Sequence, residues 1–504
     1  MPPIPFQPSH KSPFKSTLST SQQGRRRSDQ TQALTGPATS QGHEGPPSSI
    51  DPALLNPDDW TLLAEGAKNL LLRYKGPSRF PFVHSSSTGT GDEARVALRI
   101  PKRDRGSSSS SSSSSTAAKK TDSEEDDGSL DALQWRRTVI EPLLAPLSMS
   151  SLLPPLFPVV VAGDEQRAKL RAFLDVMASR IEVLRKMERR KASGIDTGDQ
   201  ALDCIWATQD LSAGNHRGDV YAFEIKPKCG FRPQGKNLSD ESRAPKTQHS
   251  RYKMHRILKQ AKGGDKKPFS RQEWEGLFDP LDLFSGQSAR VDRAIESLWS
   301  DWKQPSRTEE RTNLCVFRNG VALQPEQLQQ QQQQQHNVLF SHFRQIVKSA
   351  AVERVLKHLV ELQHVFDQSD IEGVAKRWQE EIGTPFGVGT EHGPAAEVMR
   401  AASLAEYAEA VQRGLHRLST PGGQPASGSS STTATSLRQD IVDLLLSAMW
   451  KDCSLFLRSD EGSGELKVHL VDLDPKSIEK LRHWKQLDED VVAAYKAWSE
   501  SLAA

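Results

Sequence analysis

The chain of 504 residues is predicted to take an α+β fold, and three observations predict it. Short apolar runs separated by turn residues occur in hairpin-like pairs, around Trp60–Tyr74 and around Ser454–Leu473. Long stretches keep an apolar stripe at helical spacing, as in Asp164–Arg190, Leu339–Phe366 and Leu437–Trp450. Between them stands Gly218–Phe231, G-D-V-Y-A-F-E-I-K-P-K-C-G-F, with the apolar body of a buried strand in Val220, Ala222, Phe223 and Ile225.

Composition narrows the function classes. The 66 Lys and Arg residues against 64 Asp and Glu give a net charge of +2, so no global field draws in nucleic acid or a membrane surface. A polyanion site would have to arise from local clustering. Four cysteines, Cys204, Cys229, Cys315 and Cys453, lie far apart without a CxxC pair, which suits a reducing compartment and offers no zinc spacing. No apolar run approaches the roughly 20 residues of a membrane span, and the Pro- and Ser-rich start has no signal-peptide core. A soluble intracellular protein is expected.

In chain order, residues 1–55 read as a disordered tail, whose Arg25-Arg26-Arg27 is either a nuclear address or solvated charge. Trp60–Ala64, the turn Glu65–Asn69 and Leu70–Tyr74 read as a hairpin, and Arg95–Ile100 as a further strand presenting Arg99 opposite Leu98 and Ile100. Such a hairpin, with Lys102 after the next strand, suits either a plain structural role or a cover for nucleotide phosphates. Residues 103–129, with the run Ser107–Ser115, form an expected disordered insertion and a phosphorylation target.

The helix Asp164–Arg190 carries Leu170, Phe173, Leu174, Met177, Ile181 and Leu184 on its apolar stripe and ends in a basic cluster with Arg185 and Arg189. A second basic stripe, Arg251, His255 and Lys259, lies on a helix over Ser250–Lys259. Phe278–Gly286 is expected as a loop before the helix Ala289–Trp302. Thr312–Phe317, including Asn313, reads as a strand followed by a turn. The Gln-rich segment 322–337 is expected as an exposed loop extension and the segment 415–436 as a disordered loop.

Two places carry chemistry. In Glu224-Ile225-Lys226-Pro227-Lys228, strand alternation puts Glu224, Lys226 and Lys228 on one face, which is either a solvated strand end or an anion site. In the last hairpin, Asp452 precedes the outgoing strand and Asp472 ends the returning one, so the two carboxylates share one end. A pair of acids there suits phosphoryl transfer, one orienting a hydroxyl and the other holding Mg²⁺; two solvated turn aspartates would look the same. Asp474 competes for the metal because alternation places it on the face of Asp472. After Pro475 a helix is expected to carry Lys476, Lys480 and Trp484 along one face.

In order along the chain, E-G-A-K-N (Glu65–Asn69), L-R-I-P-K (Leu98–Lys102), E-I-K-P-K-C-G-F (Glu224–Phe231), S-R-Y-K-M-H (Ser250–His255), P-L-D-L-F-S-G (Pro280–Gly286), T-N-L-C-V-F-R-N-G (Thr312–Gly320), K-D-C-S (Lys451–Ser454) and D-L-D-P-K (Asp472–Lys476) resemble the inositol-pentakisphosphate 2-kinase family. The resemblance implies a two-lobed, kinase-like architecture, with an N-terminal lobe over 56–215 and a C-terminal lobe over 216–500. It implies ATP and Mg²⁺, and γ-phosphate transfer to the 2-hydroxyl of inositol pentakisphosphate. By the same resemblance Gly66, Ala67, Lys68, Asn69 and Arg99 would meet the nucleotide phosphates, Asp452 would be the general base and Asp472 the metal ligand. Lys226 would act on the transferred group, and Lys228, Lys259, Asn313, Lys476, Lys480 and Arg185 or Arg189 would bind inositol phosphates. Cys315 departs from the family, which usually has arginine there, and Lys480 and Trp484 replace a frequent arginine and tyrosine. A point charge in place of a guanidinium fork weakens bidentate phosphate binding. A monomer, nuclear or cytoplasmic and without membrane or nucleic-acid partner, is expected. The alternatives are a catalytically weak inositol-polyphosphate scaffold, or an inositol phosphate kinase of other positional specificity. HRD, DFG and GxxxxGK[ST] motifs are missing from the sequence, against a protein kinase or a P-loop kinase.

Overall fold

A turn closed by the Gly66 N–H donating to the Asn69 carbonyl (2.9 Å) folds β1 (Trp60–Glu65) back on β2 (Asn69–Tyr74), as the sequence predicts. A computed structural model of the chain describes residues 55–502 except 67, 77–95, 105–130, 150–151, 160, 162, 186, 188–189, 191–192, 214–218, 264–266, 305–312, 327–332, 421–435 and 461–463. The expected tail over 1–54, the Ser-rich insertion from 105 onward and the segment 421–435 therefore lie outside the described residues.

β3 (Val96–Asp104) pairs with β2, and with β4 (Leu156–Pro158), β5 (Ser193–Ile195) and β6 (Trp206–Gln209) completes an antiparallel sheet in the order β1-β2-β3-β6-β4, with β5 on β3. Alternation on β2 and β3 buries Leu70, Leu72, Leu98 and Ile100 completely. They pack with Leu170, Phe173, Leu174 and Met177 of α1 (Asp164–Glu182). This helix stops at Glu182 rather than Arg190, and Leu184, expected on the apolar stripe, is 61% exposed. The chain leaves helical geometry there, and Arg185 turns inward to the buried Glu65.

The second sheet has the order β11-β10-β7-β8-β9, all antiparallel, and takes in β7 (Val220–Ile225), β8 (Leu314–Arg318), β9 (Val321–Ala322), β10 (Ser454–Asp460) and β11 (Leu466–Val471). β7 is central, and its Phe223 and Ile225 join Leu314, Val316, Leu455 and Leu457 in a core covered by helices. The longer helices after α1 are α2 (Asp240–Gln248), α3 (Arg251–Lys262), α4 (Ser288–Lys303), α5 (Gln333–Val347), α6 (Ala350–Val365), α7 (Asp370–Glu381), α8 (Leu404–Ser419), α9 (Leu437–Asp452) and α10 (Leu481–Ser501).

Several expectations need correction. The predicted helix Leu339–Phe366 is two helices, because Ser349 caps a fresh start by accepting from the Val352 N–H. The Gln-rich segment is not wholly a loop, since Val321–Ala322 is a strand and α5 begins at Gln333. Nor is 415–419, which forms the last turn of α8. Phe278–Gly286 contains a short helix, Pro280–Leu283, capped by the Asp279 side chain. Lys476 precedes helical structure altogether: a 3-10 turn over Ile478–Lys480 leads into α10. Among the described residues no helix is long and apolar enough to cross a membrane.

Candidate active site

The register of the second sheet sets Leu455 opposite Ile225 and Ser454 opposite Val471, so the end of β7, the start of β10 and the end of β11 meet. Asp452 and Asp472 thus share one end of the hairpin, as its sequence predicts, and Lys226 joins them. Lys226 Nζ lies 3.1 Å from Asp472 Oδ2, and Lys476 Nζ donates to Asp452 Oδ2 at 2.7 Å. Lys228 Nζ stands 3.8 Å from Asp452 Oδ1. Strand alternation cannot place Lys228, because β7 ends at Ile225 and Lys228 has a left-handed backbone (φ 66°). It turns to Asp452 while Lys226 faces Asp472. Asp472 is also left-handed (φ 62°). Non-glycine residues held there cost about 1–3 kcal/mol each and cluster at functional sites.

Sequence reasoning left Ser454 without a role. Its hydroxyl is 2.8 Å from Glu224 Oε1 and 3.3 Å from Asp472 Oδ2, bracing the metal candidate against the central strand. Its signal was its place two residues after Asp452, at the first position of the strand. The Trp135 indole donates to the Leu473 carbonyl at 2.8 Å and fixes the same segment.

The first sheet brings a second set of side chains. Arg99 is ion-paired with Asp474, Asn69 Nδ2 donates to Asp474 Oδ2 at 3.2 Å, and Lys68 Nζ donates to the Pro475 carbonyl at 3.3 Å. Gly66 sits in the same turn; Ala67 lies outside the described residues. Arg185 is elsewhere: its guanidinium, 1% exposed, donates to Glu65 Oε1 at 2.7 Å and to the Ser193 carbonyl at 2.8 Å. Lys102 Nζ joins the same Glu65 at 3.1 Å. Arg189 lies outside the described residues. Asn313 is buried, donating from Nδ2 to the Tyr252 hydroxyl at 2.5 Å, and its carbonyl accepts from the Lys226 N–H at 2.9 Å. Cys315 is exposed and pairs across from Glu224, on the Glu224 face of the sheet.

Burial and neighbouring like charges act together on the cations of this region. Burial pulls the Lys228 ammonium below its ordinary range; Asp452 opposes this, and Lys226 and Lys259 add to it. Lys68 is likewise lowered by burial against Asp474, with Lys480, Lys476 and Arg99 pushing the same way. His255 on α3 is driven down to about 4 by burial and then by Arg251, Lys259, Lys228 and Lys262. Lys226 is also weakened by burial, but Asp472 and Glu224 outweigh that and raise it. Burial pushes the Asp452 carboxyl up, yet Lys476, Lys228 and Lys226 prevail and keep it below the usual carboxylate range. Positive charge from Lys226, Lys228 and Lys476 thus acts on Asp452, while Lys68, Arg99, Lys476 and Lys480 gather beside Asp474.

Two other features fit a site less well. Asp370, Glu372 and Asp488 are spaced to hold a metal ion, but the Lys246 ammonium already occupies their centre at 2.6, 3.0 and 2.8 Å. A cavity of about 670 Å³ beside that cluster, lined by Lys236, Ser239, Glu372, Lys485 and Lys496 among others, takes in none of the converging residues.

Side chains of both sheets thus meet three neighbouring carboxylates, Lys226, Lys228 and Lys476 at Asp452 and Asp472, and Arg99 and Asn69 at Asp474. Residues 63–490 match the family model described as inositol-pentakisphosphate 2-kinase, and the chain belongs to that family of inositol phosphate kinases. It is similar to the inositol-pentakisphosphate 2-kinase of Cryptococcus neoformans var. neoformans, 28% identical over 92% of this chain and 99% of the relative. It is also similar to the protein of the same name from Oryza sativa subsp. indica, 26% identical over 87% and 93%. The Arabidopsis thaliana protein of that name is 25% identical over 68% and 75%.

Proposed function

We propose that this chain transfers the γ-phosphate of ATP to the axial 2-hydroxyl of inositol 1,3,4,5,6-pentakisphosphate, giving inositol hexakisphosphate. The observation that carries the reading is the convergence of Lys226, Lys228 and Lys476 on Asp452 and Asp472: a nearly neutral chain concentrates positive charge where a polyanion would bind. The first sheet with α1, over 56–215, is inferred to act as the small lobe of a kinase-like pair, and 216–500 as the large one. Gly66–Asn69 and Arg99 meet the nucleotide phosphates, and Lys226 meets the transferred group. Lys228, Lys259, Lys476 and Lys480 take the inositol phosphates. Asn313 holds Lys226 and Tyr252 in place. Arg185 is assigned to the small lobe's interior rather than to substrate, given its bonds to Glu65 and Ser193.

Asp452 is ionised at neutral pH and accepts the hydroxyl proton. Phosphates that draw Lys476 and Lys228 to themselves relieve the pull on this carboxylate and make it a better base. Asp472 and Asp474 supply hard, half-open carboxylate oxygens, 53% and 32% exposed, that suit Mg²⁺. The ion, when bound, offsets the charge on the nucleotide phosphates.

The test is incubation of purified protein with inositol pentakisphosphate, ATP and Mg²⁺, with products resolved by anion exchange. Hexakisphosphate is expected, and its absence at high enzyme concentration overturns the reading. Asp452→Asn should cut turnover by about 10²–10⁴-fold while ATP affinity stays unchanged. Tight inositide binding without turnover by the wild type would instead point to the scaffold reading.

A further inference from the structure

Gln363 is fully buried near the C-terminal end of α6, and no motif in the sequence marks it. Its amide spends each of its groups on three backbone atoms. Nε2 donates to the Lys228 carbonyl at 2.8 Å and to the Trp450 carbonyl at 3.1 Å, while Oε1 accepts from the Gly230 N–H at 2.8 Å. Two of these partners belong to the segment that carries Lys226 and Lys228. The third lies two residues before Asp452, in the last turn of α9, where helix carbonyls lack intrahelical partners.

The surroundings allow this segment little freedom. Lys228 is left-handed, a conformation that lysine adopts only under constraint. A Cβ on Gly230 would come within 2.5 Å of the Phe284 ring, so the chain there passes with no room to shift. The Ser447 hydroxyl donates to the Gln363 carbonyl at 2.7 Å, tying α9 to α6 from behind. A turn further on, Asp367 is ion-paired with Lys451, and the His364 ring packs edge-on against Phe231 at 5.1 Å.

We propose that Gln363 is a positioning residue that sets the separation and orientation of the Lys228 ammonium relative to the Asp452 carboxylate. It does so by bonding both of their backbones with one rigid amide. The inference rests on the inositide-kinase reading for what the two side chains do, but not for the geometry itself. A primary amide suits the place because two donors and one acceptor are needed and burial disfavours charge. A carboxylate would aim its oxygens at two carbonyl oxygens. Protonated, it restores one donor while its other oxygen still receives the Gly230 N–H.

Gln363→Glu turns this into a pH experiment on the full-length chain. Binding of inositol hexakisphosphate and, separately, of an ATP analogue is measured by calorimetry between pH 5.5 and 8.5, with turnover of inositol pentakisphosphate alongside. The expected result is near-wild-type inositide affinity at the acid end, falling about 10²-fold toward pH 8.5, as when one charge-assisted phosphate contact is lost. Nucleotide affinity should follow the wild type throughout. Gln363→Met, which fills the same volume without the bonds, should show the inositide loss at every pH.

Equal pH profiles for Gln363→Glu and wild type would overturn the proposal. So would a parallel loss of nucleotide binding, inositide binding and thermal stability, or failure of both variants to fold, since either would make Gln363 a core residue alone. If the wild type binds hexakisphosphate but produces none, the kinase reading fails while the binding arm still decides the role of Gln363.

Discussion

Lys228 shows how function is set against comfort at a single residue. Its left-handed backbone would suit glycine better, and its ammonium sits among Lys226 and Lys259. Lys228→Gly should therefore raise stability by about 1 kcal/mol, read as a higher Tm, while weakening inositide binding at least tenfold in calorimetry. A neighbour reports on the same field. His255 is held at about 4 by burial and by Arg251, Lys259, Lys228 and Lys262. Saturation with inositol hexakisphosphate should move its NMR titration midpoint upward toward the ordinary 6.5; an unmoved midpoint would place the ligand elsewhere. The contiguous lysines of the β7 end were legible because they are neighbours in sequence. The bonds of Asp474 with Asn69 and Arg99 were not, because partners 405 and 375 residues apart leave no pattern in a single chain.

At the scale of elements, the β1–β2 hairpin owes its rigidity to Glu65. Burial raises this carboxyl, but hydrogen bonds from Arg185 and Lys102 outweigh it and hold it at about 2, below its ordinary 4.5. A depressed acid stabilises the fold above its unfolded pKa and loses that contribution as pH falls through the folded one. The first sheet should therefore weaken between about pH 4.5 and pH 2, read as loss of amide protection in β1–β3 by hydrogen exchange. Glu65→Gln, which takes the carboxylate away from the buried Lys102 ammonium while Arg185 keeps Glu182, should lower stability by about 3 kcal/mol at pH 7. Element type was readable wherever apolar spacing was regular: β2, α4 and the last hairpin match expectation closely, whereas β3, expected to end at Ile100 ahead of a disordered stretch from 103, runs on through Lys102 to Asp104 by pairing with β5. Ends were less so, because they depend on remote partners. The basic tail of the predicted helix 164–190 reads as helix until Glu65, on another strand, claims Arg185. The expected helix from 339 to 366 breaks because one serine offers a better cap than continued helix.

For the whole molecule, net charge conceals the distribution that matters. A sum of +2 excludes a global field, yet local positive charge is concentrated where the two sheets face Asp452, Asp472 and Asp474. Ligand binding here should be strongly salt-dependent, weakening as ionic strength rises from 50 to 300 mM, since screening acts on each phosphate contact. A ligand that binds only the folded chain at 100 times its Kd should stabilise it by about 2.7 kcal/mol, visible as a raised Tm. A shift that ignores salt would count against an electrostatic site.

β2 is held at both of its ends, and differently at each. At Tyr74's neighbour Arg73 the guanidinium reaches the buried Asp210, the Ser212 hydroxyl and the Gly320 carbonyl, joining the strand to the segment between the sheets and to the β8–β9 turn. At Asn69 the attachment is to Asp474, a half-buried carboxylate that also receives Arg99. The first is a bearing and the second a catch. Four residue-to-residue steps of strand separate them, a span of about 13 Å at 3.3 Å per residue. When phosphate charge replaces Asp474 as the partner of Asn69 and Arg99, the catch opens while the bearing stays closed. The pairing of β2 with β3 from Asn69 to Arg73 stays closed with it, so exchange of one anion for another at this end leaves the sheet intact.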